Sequence, residues 1–298
     1  MNTKKSNLGE IRMKKLSIIS TVLLLVVLIA GCGSNNNNAA KETTKAEGTT
    51  GSAAVAVKKI IVGTGTQFPD VCFIDEDGKL TGFDVELVKQ IDELLPEYEF
   101  EFKTMDFGNL LLSLETNKID FVAHQMEKNP EREEKFLFNK EPYSIFLTKV
   151  AVAKNDTTIQ SIADLKGKKI LVGPTSNQAY FLENYNKENS DAINIVYSSG
   201  EANDLVAQIE GKRVDATLTT DFALKNHYPG ADGKPALKTV GDPLIQSNVL
   251  FVLRKDGQEL SDKLDGAIKT LKENGELAKL SIQWLGEDLT KTLDEETK

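Results

Sequence analysis

Cysteine, histidine and tryptophan are nearly missing from this chain of 298 residues, which holds two, two and one of them. Two cysteines, Cys32 and Cys72, do not make the disulfide framework of a small secreted domain. The histidines, His124 and His227, stand far apart, with no HExxH and no paired cysteines, so a zinc site has no support. GxSxG is missing, and so are GxxxxGK[ST] and GxGxxG, which removes the motifs of serine hydrolases and of phosphate cradles. From these absences the chain is expected to carry no catalytic group, no metal and no cofactor. An excess of basic charge is lacking too. Lys and Arg number 36 against 45 Asp and Glu, a net charge of −9, which argues against nucleic acid and against close binding to anionic lipid. The one long apolar segment, residues 16–30, is too short and too often broken by Ser and Thr to persist as a membrane-spanning helix.

That segment follows Lys4, Lys5, Arg12, Lys14 and Lys15 and ends in Leu28-Ile29-Ala30-Gly31-Cys32. Basic start, apolar core and small residues before a cysteine together resemble the lipobox of bacterial lipoproteins. The resemblance implies a signal peptide over residues 1–31, cleavage before Cys32 and a diacylglyceryl (palmitate-type) lipid anchor on its sulfur. Residues 32–57 contain Asn35-Asn36-Asn37-Asn38 and then Ala, Thr, Lys, Glu and Gly without apolar periodicity. Such a composition cannot bury enough to fold and predicts a disordered tether, with a reach of roughly 25–30 Å. The body beyond it is expected on the extracytoplasmic face of the cell membrane.

From Lys58 onward, strand and helix patterns alternate, which predicts parallel pairing and an α/β fold. Lys59 to Thr64 reads as a buried strand. Asp84 is expected to cap a helix whose apolar positions Val85, Val88, Ile91 and Leu95 fall at helical spacing and which Pro96 ends. Tyr98, Phe100 and Phe102 alternate with charged residues as in a half-buried strand. Ser144–Lys154 and Asn248–Arg254 are long β-rich runs, suited to carry the chain between two lobes and back. Helices are expected over Asn203–Glu210, Glu259–Leu271 and Gly275–Leu285.

One stretch organises the rest. Ile119–Arg132, IDFVAHQMEKNPER, is a short strand, a polar turn from His124 to Lys128, and a helix start with Asn129 as N-cap and Pro130 at the first helical position. In open α/β sheets ligands lie past the carboxyl ends of strands, where this turn falls. Arg132 is the guanidinium beside it, suited to bidentate capture of a carboxylate. The competing reading pairs Arg132 with Glu131, Glu133 or Glu134 on a solvated helix face. The segment from Ser113 to Val122 is echoed by Gln208 to Thr217: a helix end, a tight turn, then a basic residue, a β-branched residue and Asp entering a strand. Two similar α/β lobes explain the echo economically.

Two further loops join strands to helices. Gly173-Pro174-Thr175-Ser176-Asn177 offers hydroxyls and helix N–H groups to an anion, or ordinary capping by Ser176. Gly63-Thr64-Gly65-Thr66-Gln67-Phe68 allows close backbone approach. Phe68 and Phe107 suit either a pocket wall or the core. Cys72 reads as a small buried hydrophobe.

Taken in order, VGTGTQF, DGKLTGFDVEL, the KID strand, NPER, ADLKGKKILVGPTSN and GKRVDA resemble the extracytoplasmic solute-binding proteins of polar amino-acid ABC transporters, over nearly all of Lys58 to Leu289. Within that family GTGTQFPDVCFID and VAHQMEKNPEREEKFLFNKEPY look most like cystine-binding members. The resemblance implies a two-lobed type II binding-protein fold, each lobe a mixed sheet flanked by helices, with two hinge crossings. Residues 58–149 and 247–290 would form the first lobe, 150–246 the second, and 291–298 a frayed tail. It implies that Arg132 clamps the ligand α-carboxylate and that Thr175, Ser176 and Asn177 hold it from the second lobe. Phe68 and Phe107 would sandwich the ligand side chain, and His124, Gln125 and Glu127 would meet its polar ends. The family's ammonium-binding Asp falls here on Thr220, with Asp221 next to it, and either is a candidate. The implied partners are an amino acid, cystine favoured, and an ABC permease that receives it from a monomeric carrier. A sensor lobe for an amino acid and a cyclohexadienyl-type dehydratase of the same fold are the alternatives.

Overall fold

The computed structural model describes residues 57–291 except 191, 199–201 and 228–234. The basic start, the apolar segment, Cys32, the tether up to residue 56 and residues 292–298 lie outside the described residues. Elements β1 (Lys58–Thr64), β2 (Gln67–Phe68), β3 (Cys72–Ile74), β4 (Leu80–Thr81), α1 (Phe83–Leu94), β5 (Tyr98–Thr104) and α2 (Phe107–Glu115) open the chain. They are followed by β6 (Phe121–Glu127), α3 (Pro130–Lys135), β7 (Leu137–Phe138), the long β8 (Ser144–Ala153) and a 3₁₀ turn (Ile162–Leu165). Next come β9 (Lys169–Val172), α4 (Asn177–Glu188), β10 (Asn194–Tyr197), α5 (Ala202–Glu210), β11 (Ala216–Thr219) and α6 (Asp221–His227). A second long strand, β12 (Leu237–Leu253), leads to α7 (Gln258–Glu273) and α8 (Glu276–Leu285).

The strands run in the order β10-β9-β11-β8-β12-β6-β1-β5, with β7 beside β12, while β2, β3 and β4 make a small sheet of their own. Pairing is parallel in the outer parts, as the alternation of strands and helices predicts, and antiparallel around β8 and β12. The alternation of side chains sorts the core into facing layers. In β1, Ile60 and Val62 join one apolar cluster with α1, α7 and α8, while Ile61 faces another with α2. Phe121 and Ala123 of β6 join the first cluster, and Val122 and Met126 join the second. Further along, Val150 and Val152 of β8 face one cluster with α4, and Ala151 faces another with α5. Each half of the long sheet therefore has apolar clusters on both faces, the layered packing of an α/β fold.

The sequence echo is also a structural one. The Asp120 carboxylate accepts the N–H of Ile61 at 2.7 Å, and the Asp120 N–H donates to the Ile61 carbonyl at 2.7 Å. Asp215 repeats both bonds with Lys169, each at 2.8 Å. Asn117 (φ 57) and Lys212 (φ 54) make the corresponding left-handed turns. In both halves an aspartate thus locks the entry of one strand to its parallel neighbour.

The crossing strands are joined by an irregular ladder. Val240 faces Val150 and Ile245 faces Thr148, so Gly241–Leu244 bulges out against Lys149 alone. Gly241, at φ 69, has the conformation that favours glycine, and a Cβ there would stand 2.8 Å from the Gln160 carbonyl. A bulge in paired strands bends them and concentrates twist at one place.

One expected cap is corrected. Gly82, at φ 117, is the N-cap of α1, because any Cβ at that position would lie 2.5 Å from the Val71 carbonyl oxygen. Asp84 lies inside the first turn, fully buried, with a different task.

Candidate functional site

A cavity of about 560 Å³ opens between the carboxyl ends of the strands. One wall comes from the turn after β1, the start of α2 and the end of β6. The other comes from the β9–α4 loop, β11 and α6. That is the size and position expected of a small-ligand site in an α/β protein.

Arg132 is delivered to this cavity by the start of α3. Asn129 has extended backbone and its Oδ1 accepts the Arg132 N–H at 2.9 Å, while Pro130 takes the position whose N–H has no helical partner. The guanidinium is buried, 5% exposed. Its Nη1 donates to the Glu127 carbonyl and its Nη2 to the Thr175 carbonyl, each at 2.8 Å. Among the described residues no carboxylate pairs with it. Glu133 is engaged with Lys128 instead, and Glu131 and Glu134 are exposed. Burial holds the guanidinium pKa below its ordinary value, while Glu127 and Glu131 oppose that shift. A buried cation satisfied only by carbonyls still favours an anion that reaches it.

Residues of the β9–α4 loop meet Arg132 from the opposite wall. Thr175 has φ 61, a left-handed conformation uncommon for a β-branched residue. Ser176 caps α4, accepting the Ala179 N–H at 3.0 Å and donating to the Gly173 carbonyl at 2.7 Å, so its hydroxyl is committed to the backbone. The Asn177 amide donates to Glu127 Oε1 at 3.2 Å and accepts from Asn129 Nδ2 at 3.3 Å. Glu127 is 4% exposed, and burial raises its pKa against the bonds from Ser247 and Asn177 and the pull of Arg132.

Aromatic rings form the third side. His124 has Phe107 at 5.0 Å and Phe68 at 5.7 Å between ring centroids. Burial, with Arg132 nearby, pushes the imidazole pKa down to about 4, so it is neutral at ordinary pH. Space for the ring depends on Gly65, where a Cβ would come within 2.7 Å of His124 Nε2. Gln125 holds φ 47, and its N–H and side-chain amide both donate to Asp84 at 2.7 Å. Tyr143 adds a third bond to Asp84 at 2.8 Å. Burial outweighs these bonds and raises the Asp84 pKa to about 6. Asp84 thus fixes the left-handed kink at Gln125 inside β6, through contacts that sequence spacing does not reveal, and His124–Glu127, expected as a turn, is the end of that strand.

Phe68, Phe107, His124, Gln125, Glu127, Arg132, Thr175, Ser176 and Asn177 all line the one cavity. Thr220 and Asp221 do not. Thr220 caps the start of α6, accepting the Ala223 N–H at 3.3 Å. Asp221 accepts from Lys149 Nζ at 2.9 Å and from the Thr239 hydroxyl. Cys72 is free and buried, as expected, with a thiol that burial pushes up to about 12. Sequence reasoning passed over Met105, Asp106, Phe146 and Thr219, which also line the cavity. None carries a motif, and their membership depends on chain packing alone.

The sequence profile of the bacterial extracellular solute-binding proteins, family 3, matches residues 60–287. The chain belongs to that family. This solute-binding protein is 48% identical to the L-cystine-binding protein TcyK of Bacillus subtilis over 243 residues, 82% of this chain and 89% of the relative. It is 46% identical to the L-cystine-binding protein TcyJ of the same organism over 233 residues, 78% of this chain and 86% of that one. A solved ABC-transporter structure from Listeria monocytogenes superposes with a TM-score of 0.73 at 48% identity, covering 79% of this solute-binding protein and 99% of the other chain. The α/β two-lobed architecture expected from the sequence is therefore the family's own. Among the described residues no helix is long and apolar enough to cross a membrane.

Proposed function

We propose that this solute-binding protein captures L-cystine in the cavity between its lobes and delivers it to an ABC importer in the membrane. The observation that carries the reading is Arg132, a buried guanidinium on the cavity wall whose described hydrogen bonds go to carbonyl groups. A zwitterion's carboxylate supplies the missing anion, and the N–H groups at the start of α4 face it from the other lobe. The two named cystine-binding relatives support the choice of ligand. So does the wall of Phe68, Phe107 and neutral His124, since sulfur contacts aromatic rings favourably.

In this reading residues 58–149 and 247–290 act as one lobe, 150–246 as the other, and the bulge at Gly241–Leu244 is where they bend. Glu127 takes the near ammonium, and Thr220 and Asp221 stiffen the second lobe rather than touch ligand. Closure excludes water and strengthens each charged contact. Cys32, lipidated and followed by its tether, keeps the carrier on the extracytoplasmic face. Binding and release, not turnover, is the activity.

Calorimetry of the protein against cystine and the common amino acids tests this. Cystine is expected to bind tightest and to raise the melting temperature most. Preference for histidine, glutamine or arginine would sink the assignment of ligand.

A further inference from the structure

Cystine differs from ordinary amino acids in having two zwitterionic ends. The site described so far serves one end, through Arg132 and Glu127. The far end brings a second ammonium into the same cavity, and the lining must answer it or reject it.

The charged residues that line the cavity are few: Arg132, Glu127 and Asp106. Glu127 is already engaged by Asn177 and Ser247. Asp106 differs on every count. It occupies the N-cap of α2, with extended backbone at φ −62 and ψ 144, where Asp ordinarily turns its oxygen onto the helix N–H groups. Here no side-chain cap bond forms. The backbone carbonyl of Asp106 accepts the Asn109 N–H at 2.9 Å, but the carboxylate has no hydrogen-bond or ion-pair partner among the described residues. The next residue, Phe107, packs its ring on His124 at 5.0 Å, so α2 sets Asp106 immediately beside the aromatic wall assigned to the sulfurs. Asp106 is exposed, whereas Arg132 is buried, which places them at the rim and in the depth of one cavity.

We infer that Asp106 is a specificity-determining residue that binds the far ammonium of the ligand. The protein thereby discriminates between a disulfide ligand whose far end carries an ammonium and one whose far end lacks it. This inference rests on the cystine reading above and adds to it a reason why single-ended amino acids bind less well. A helix gives up the stabilisation of its cap when the cap side chain is turned away, and a ligand contact explains why that loss persists.

The test is a cycle of two ligands and three proteins, measured by titration calorimetry on the full-length chain. The ligands are L-cystine and the mixed disulfide of L-cysteine with 3-mercaptopropionic acid, which keeps both carboxylates and lacks the far ammonium. Wild type is expected to prefer cystine by about tenfold, the lower end for a charge-assisted bond because Asp106 lies at an exposed rim. Asp106→Asn is expected to erase that preference by weakening cystine alone, and Asp106→Glu to restore part of it. If Asp106→Asn keeps the wild-type preference, or weakens both disulfides equally, the inference is overturned while the cystine reading stands. A wild type that binds neither disulfide removes the cystine reading and this inference together.

Discussion

The guanidinium of Arg132 and the carbonyl of Thr175, 43 positions apart in sequence, lie 2.8 Å from each other across the cavity. One cation therefore touches both walls, since its other arm holds the Glu127 carbonyl. A lysine ammonium has no planar fork and cannot span both carbonyls while presenting an edge to a carboxylate. Arg132→Lys is expected to lower cystine affinity at least about 100-fold, and Arg132→Met to abolish binding. Stability should respond differently. A desolvated cation held by carbonyls is weak support for a fold, so Arg132→Met should leave the melting temperature of the unliganded protein unchanged or higher. Calorimetry and thermal denaturation on the same samples check both halves. Undiminished affinity in Arg132→Met would remove the clamp.

Gly65 is expected to be sensitive for a steric reason. Its missing Cβ leaves room for His124 Nε2, at 2.7 Å from the position a Cβ would take, and for Cys72 Sγ at 3.5 Å. The imidazole cannot retreat easily with Phe107 on one side and Phe68 on the other. Gly65→Ala should cost about 1–3 kcal/mol by overpacking and should weaken ligand binding as well. Adding His124→Ala should recover most of the stability, because the collision is with that ring. Chemical denaturation of the single and double variants measures the coupling, and additive losses would contradict the steric account.

Asp84 gives a pH dependence with a definite sign. Its pKa is about 6 in the fold against an ordinary 3.8, because it is fully buried. The folded chain therefore holds this proton more tightly than the unfolded chain. The stabilisation is complete below pH 3.8 and is lost as pH rises through about 6, a change of about 3 kcal/mol. Asp84→Asn removes the titration. Its neutral amide can still accept from Tyr143 and the Gln125 N–H, and Gln125 can turn its own amide so that Oε1, buried and without a partner, accepts from the new NH₂. Relative to wild type, Asp84→Asn should gain stability as pH rises from 4 to 6.5. Denaturant titrations across that range decide it, and a constant difference between the two proteins would refute the buried-charge account.

The same residue marks where sequence reading stops. Asp ahead of Val85, Val88 and Ile91 looks like a helix cap on local rules, yet Gly82 takes that place because the Val71 carbonyl leaves no room for a side chain. Long apolar runs such as β1 and β8 were legible because their periodicity survives in any context. Leu237–Ser247 was not, since Gly241, Asp242 and Pro243 spell a turn, and it becomes strand only through pairing with β8. The strands β2, β3 and β4 are too short to leave a pattern. Asn129 and Pro130 announce α3 and set Arg132 beside the end of β6, while local charge pattern leaves its role open and the resemblance supplies it. Thr220 and Asp221 came forward by resemblance, and packing assigns them to the start of α6 and to Lys149. Asp106 carried no signal, because a helix cap and a ligand contact use the same residue type.

Asn177 supports a final prediction about closure. It bridges Asn129 at 3.3 Å and Glu127 at 3.2 Å, so residues from both walls meet on one amide. Glu127 already has a raised pKa from burial. Asn177→Ala removes a donor from that carboxylate and should weaken cystine binding several-fold, chiefly through faster release, because the contact exists only when the walls are together. Asn177→Asp is the sharper variant. It sets a second carboxylate against Glu127, and two such groups can stay close only by sharing a proton. Its affinity relative to wild type, compared at each pH, should therefore be poorest above pH 7 and should recover toward pH 5. Stopped-flow release rates at several pH values measure this. A pH-independent ratio of Asn177→Asp to wild type would mean that the introduced carboxylate and Glu127 never meet in the bound form, and that the walls close by some other contact.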